Sequence, residues 1–175
     1  MKTWIIYFSR AGGNWVDGGI KNLEKGNTEI IADKIHSLTK GGLFSIRMVN
    51  PYSTDYITCT EEAKKDQEAD KRPEILKPLP RLEKGDIVYL GYPIYWETMP
   101  MPILTFLDSY DSFEGITIYP FVTHEGSGLG ASMSFLRHKA KGATILSPLP
   151  IPGSVASRSD PLLKEWINSH SVRSI

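Results

Sequence analysis

The chain has 175 residues, enough for one domain with a sizeable core, and its 20 Lys and Arg balance its 20 Asp and Glu. That balance excludes a basic nucleic-acid face and an acidic tail. The single cysteine, Cys59, excludes an internal disulfide framework and a cysteine-only metal site, and the four histidines lack ligand spacing, so no metal is expected.

Residues 4–8 are a short, β-rich apolar run, suited to a strand buried on both faces. No signal-peptide h-region precedes them and no apolar run spans a bilayer, so a soluble cytoplasmic protein is expected. Residues 9–27 follow with five glycines, a long detour where a strand-to-helix turn normally takes a few residues. Asn27 and Thr28 then offer a helix cap, and residues 28–40 place Ile31, Ile35 and Leu38 on one face. Gly41 and Gly42 are expected to stop that helix.

A second strand is predicted over residues 43–49 and a charged helix, opening in turn residues, over 51–72. Cys59 sits there as a buried or half-buried structural thiol without evident activators. Residues 72–85 hold three prolines and form a surface connection. A third strand over 86–96 runs into a proline turn. A helix over 99–110 has prolines near its start, where a missing N–H does least harm. Residues 115–124 read as a fourth strand, 126–140 as a glycine turn into a helix, 143–153 as a fifth strand with its exit loop, and 159–170 as a last helix.

Strands alternating with helices imply one α/β domain over residues 1–175, a doubly wound parallel sheet covered on both faces. Ligands of such sheets sit beyond the carboxyl ends of the strands, where strand order reverses. Three loops are therefore singled out. The first ends at a helix N-terminus, where Gly26, Asn27 and Thr28 offer backbone N–H groups to a phosphate and Ser9 and Thr28 add hydroxyls. Its bland alternative is an ordinary cap with a loose insertion, and Arg10 either contacts phosphate or is solvated. The second puts Tyr95 and Trp96 at the mouth of the sheet, to stack on a flat ring or to pack under a neighbouring loop. The third, "THEGSGLG", brings backbone close through Gly126, Gly128 and Gly130. His124 and Glu125 there form a candidate acid/base pair, the alternative being a hydrogen-bonding loop histidine. The third loop is not a dinucleotide fingerprint, since it follows the fourth strand and no ribose-binding acid stands downstream. A P-loop and a nucleophile elbow are absent.

Together the segments "YFSRAG…NT", "GYPIYWETMP" and "THEGSGLG" resemble the flavodoxin-like family of bacterial FMN-binding proteins, from the first strand to about Ser154. The resemblance implies a three-layer α/β/α fold, a five-stranded sheet in the order 2-1-3-4-5, and FMN held non-covalently at the switch between strands one and three. Carried over by position, Ser9, Arg10, Ala11, Gly26, Asn27 and Thr28 form the phosphate loop. Pro93, Ile94, Tyr95, Trp96 and Glu97 border the ring, and Thr123, His124, Glu125, Gly126, Ser127 and Gly128 line its other edge. His124 is the candidate acid or hydrogen-bond donor. The insertion is expected either to fold back as a lid through Asn14 and Trp15 or to be a mobile surface excursion. Glu97 stands where the resemblance often has glycine, at a peptide that turns over on flavin reduction.

The implied function is electron transfer through the flavin to a redox partner protein. The alternative is an NAD(P)H-dependent quinone-type oxidoreductase with a small-molecule acceptor, towards which the neutral charge tilts. A flavin-free binding module is the remote alternative. The resemblance leaves monomer and homodimer open, with neither nucleic acid nor membrane as a partner.

Overall fold

Alternation decides the architecture. In the first strand, β1 (Thr3–Tyr7), Ile5 and Tyr7 face one side of the sheet, and Ile6 the other. The computed structural model describes residues 1–171. The chain then makes a hairpin of β2 (Gly12–Val16) and β3 (Gly19–Leu23), followed by α1 (Asn27–Thr39) and β4 (Gly42–Ser45). After α2 (Tyr56–Glu68) come β5 (Ile87–Pro93), α3 (Met101–Asp108), β6 (Thr117–His124) and α4 (Ser132–Lys139). The chain continues through β7 (Thr144–Ile145), β8 (Leu149–Pro152), a 3₁₀ helix (Gly153–Arg158) and α5 (Asp160–Ser171).

Among the described residues the main sheet is wholly parallel and runs β4-β1-β5-β6-β7, with β8 also on β6. This is the expected 2-1-3-4-5 order, with the fifth strand split in two. Three residues, 146–148, oppose Tyr119 and Pro120 of β6. Even-numbered residues of β6 face this edge, since the Ile118 carbonyl accepts from Leu146 N at 2.9 Å. Pro120, two residues on, has no N–H to offer there, so the edge strand breaks opposite it.

One face of the sheet, with Ile6, Leu90, Tyr92 and Val122, is covered by α2, α3 and α4. The other, with Ile5, Tyr89, Tyr119 and Phe121, is covered by α1 and α5 through Ile31, Ile35, Leu163 and Trp166. Asp86, fully buried, accepts from Lys2 N (2.7 Å) and Glu83 N (3.0 Å), tying the entrance of β5 to the start of the chain. Among the described residues no helix is long and apolar enough to cross a membrane.

Some local expectations are corrected. The residue in left-handed conformation after α1 is Lys40 (φ 59°), not a glycine. Gly41 and Gly42 are needed for packing on β1: a Cβ would come within 2.8 Å of the Thr3 carbonyl at Gly41 and of the Trp4 ring at Gly42. The second helix begins at Tyr56, after the expected turn residues, where Asp55 caps it by accepting from Thr58 N at 2.8 Å.

Candidate functional site

Strand order reverses between β1 and β5, since β1 leads to β4 on one side and β5 lies on the other. At the carboxyl ends of these strands lies a cavity of about 390 Å³, within the range of small-molecule sites. All three loops singled out in the sequence reach it. Its lining includes Ser9, Arg10, Asn27, Thr28, Pro93, Ile94, Tyr95, Trp96, Thr123, His124, Glu125 and Ser127.

One end of the cavity is polar. The N-cap of α1, Gly26, has no side chain to offer, and the Glu29 N–H is taken instead by Ser9 Oγ at 3.1 Å. The helix supplies no acceptor for the N–H groups of Asn27 and Thr28. The buried Thr28 hydroxyl is paired with that of Thr123 at 2.7 Å, joining α1 to the end of β6. The dipole of α1 adds positive character at this end. Gly26 lies outside the lining, pressed against Ser9 and the Arg10 carbonyl, where it permits the loop to approach the helix.

The other end is aromatic. Tyr95 and Thr98 exchange backbone hydrogen bonds (2.8 and 3.1 Å) around Trp96 (φ 47°) and Glu97 (φ 65°). Two successive positive φ values make this a type I′ turn, a form that favours Asn-Gly. Such a conformation costs a bulky residue roughly 1–2 kcal/mol. The turn is held from α2: Trp96 Nε1 donates to the Thr60 carbonyl (2.8 Å), Gln67 Nε2 donates to the Trp96 carbonyl (3.1 Å), and the Lys64 ammonium lies 5.1 Å from the centroid of the indole. Glu97 stays out of the lining, and its carbonyl accepts from Ala131 N at 2.7 Å. Gly130 (φ 50°) packs directly on that carbonyl. Strained backbone of this kind concentrates at ligand sites.

His124 also lines the cavity. Its Nδ1 accepts from Gly126 N at 3.0 Å, which leaves the proton on Nε2. Burial lowers its pKa below the ordinary histidine value, against a smaller rise from Glu125. A lowered histidine pKa stabilises the fold above about pH 6.5, and that contribution is lost as pH falls through the unfolded and then the folded value. The thermal midpoint is expected to drop between pH 7 and 5, and to drop less in His124→Asn. An equal drop in both proteins, followed by calorimetry, would remove His124 from the account.

The insertion is an ordered hairpin, not a loose excursion. Its turn, Asp17 (φ 51°) and Gly18 (φ 80°), is again type I′. The tip reaches the third loop, where Asp17 N donates to Glu125 Oε2 at 3.1 Å. Asn14 and Trp15 line the cavity, and so do residues the sequence gave no reason to select: Tyr56, Cys59, Thr60 and Ala63 of α2, and Gly153. Cys59 is buried as expected, and burial raises its pKa while the nearby Arg10 charge opposes that rise. Ala11, Gly126 and Gly128 do not line the cavity; the last two, at positive φ, face open space.

The flavodoxin family model matches residues 4–170. No curated protein matches the chain. Solved structures do. One is a protein from Bacteroides eggerthii designated a flavoprotein, with 23% identity, 96% of both chains covered and a TM-score of 0.73. A protein of the same designation from Bacteroides uniformis has 25% identity, covers 95% of this chain and 97% of its own, and has a TM-score of 0.71. A flavoprotein from Lactobacillus acidophilus, solved in complex with FMN, has 22% identity, covers 95% and 98%, and has a TM-score of 0.67.

Proposed function

The chain belongs to the flavodoxin family, and from that premise we propose that it is a redox protein that holds FMN non-covalently in the cavity between β1 and β5. The observation that carries this reading is the polarity of the cavity. A helix N-terminus with hydroxyls from Ser9 and Thr28 stands at one end, and Tyr95, Trp96 and Trp15 stand at the other. That is the donor set a phosphate needs and the surface a flat ring needs, in one space.

Asn27 and Thr28 would bind the phosphate through backbone N–H groups, assisted by Ser9. Tyr95 and Trp96 would flank the ring and exclude water, which disfavours added negative charge there. His124, with its proton on Nε2, would donate to a polar edge of the ligand. Bound FMN would supply the electron chemistry, and the protein would set its potential by packing and hydrogen bonding.

Two versions of this function differ in the acceptor. Electron transfer to a protein partner is the version that membership of the family supports. An NAD(P)H-dependent reductase of quinone-type acceptors is favoured by the equal numbers of acidic and basic side chains, which give no net field to steer a charged partner.

The test is a titration of apoprotein with FMN and with riboflavin, read by quenching of flavin fluorescence. Tight FMN and weak riboflavin are expected. Binding of neither would end the flavin reading, and equal binding would end the phosphate assignment. Steady NAD(P)H oxidation by holoprotein with a quinone would then select the reductase version; no turnover with any quinone would reject it.

A further inference from the structure

Resting on the flavin reading above, we propose that Arg10 serves the ring end of the cavity and not the phosphate. It is a positioning residue that holds the β2–β3 hairpin, and with it Trp15, as the roof of the site.

Sequence position argues the opposite at first. Arg10 follows Ser9 directly and stands close to the N-terminus of α1, where a cation is the obvious phosphate ligand. The terminal nitrogens of its guanidinium are instead committed elsewhere. Nη1 donates to the carbonyls of Ser53 (3.0 Å), Thr54 (3.2 Å) and Ala11 (3.3 Å), and Nη2 donates to that of Gly13. These four acceptors belong to two chain segments, the hairpin base and the stretch leading into α2. The two terminal nitrogens of a planar guanidinium, with four N–H donors between them, suit such a junction, and a single ammonium does not. A phosphate that drew the guanidinium away would take the Arg10 donor from the Ser53 carbonyl and one of two donors from the Thr54 carbonyl.

The surrounding backbone is shaped to the same junction. Gly13 N donates to the Thr54 carbonyl at 2.8 Å. Gly12 lies at φ 85°, and a Cβ on it would come within 2.8 Å of the same carbonyl oxygen; a Cβ on Gly13 would come within 3.1 Å of Tyr56 N. The hairpin base is thus fixed to the α2 side of the cavity, and the tip is fixed to the other side through Asp17 N and Glu125. Between these points Trp15 leans on Tyr56, ring centroids 6.2 Å apart at 35°. The charge of Arg10 also opposes the burial-driven rise of the Tyr95 hydroxyl pKa, which places it among the ring-end groups.

The two roles give opposite results in one experiment. Arg10→Ala, Arg10→Lys and Trp15→Ala are titrated with FMN and with riboflavin, which share the ring and differ in the phosphate. For a positioning role Arg10→Ala weakens both flavins by a similar factor, about tenfold. Arg10→Lys behaves like Arg10→Ala, because one ammonium cannot hold four carbonyls. Trp15→Ala, at a side chain 45% exposed and outside the core, reproduces the equal loss without loss of fold. A selective loss of FMN in Arg10→Ala, restored by lysine as a point charge, would overturn the proposal. So would wild-type affinity of Trp15→Ala for both flavins. If the unaltered chain binds neither flavin, the reading beneath the proposal fails, a different result from any of these.

Discussion

Replacing Gly26 with alanine is expected to lower FMN affinity by at least about a hundredfold, or about 2.7 kcal/mol, while riboflavin binding falls far less. The backbone does not forbid alanine, since Gly26 sits at φ −64° and ψ 151°. The obstacle is the space. A Cβ there would overlap Ser9 Oγ and come within 2.6 Å of the Arg10 carbonyl oxygen and 3.0 Å of its carbon. The Ser9 side chain can rotate, but only by giving up the hydrogen bond it accepts from Glu29 N. The Arg10 carbonyl is backbone and can move only with the loop after β1. Alanine therefore drives that loop off the helix N-terminus and separates Ser9 from Asn27 and Thr28. The comparison separates the two ends, because Gly26→Ala should act chiefly on the phosphate end and Arg10→Ala on both flavins alike. FMN affinity within threefold of the unaltered chain, in the same fluorescence titration, would show that no phosphate is gripped at this junction.

Much of this site was legible because it lies where topology dictates. Once residues 4–8, 86–96 and 115–124 read as buried parallel strands, their carboxyl ends had to converge, and Ser9, Tyr95 and His124 with them. The hairpin was less legible, although its turn carried a signal. Asp17-Gly18 between "NWV" and "GIK" is a two-residue type I′ sequence flanked by β-formers. It was obscured by the four other glycines of the segment, which suggest looseness. The contribution of α2 was not legible at all. Cys59, Thr60 and Ala63 reach the cavity because β4 and α2 pack beside β1, a tertiary fact with no local pattern. The commitment of Arg10 to the carbonyls of Ser53 and Thr54, more than forty residues away, is of the same kind. The break in the fifth strand was half visible: prolines at 148, 150 and 152 weaken a strand, but Pro120 on its neighbour fixes where it interrupts.

The turn at Trp96 makes the second large prediction, and it has two measurements that should separate. In Trp96→Gly, FMN and riboflavin are both expected to bind about fiftyfold more weakly, the loss of an aromatic wall. Stability in urea should change by no more than about 1 kcal/mol. The reason is that the indole is 46% exposed and its residue sits at φ 47°, so little core packing is lost and backbone strain is relieved. Against that relief stand the bond from Nε1 to the Thr60 carbonyl and the contact with Lys64, each worth about 1 kcal/mol or less at an exposed site. The bond from Gln67 to the Trp96 carbonyl involves only backbone on this side and survives the change. A parallel fall in stability and affinity would instead make Trp96 a packing residue of α2 whose place at the cavity is incidental. Unchanged affinity would put the ring elsewhere. The predicted outcome, weak binding by a chain of nearly unchanged stability, is what a strained turn maintained for a ligand requires.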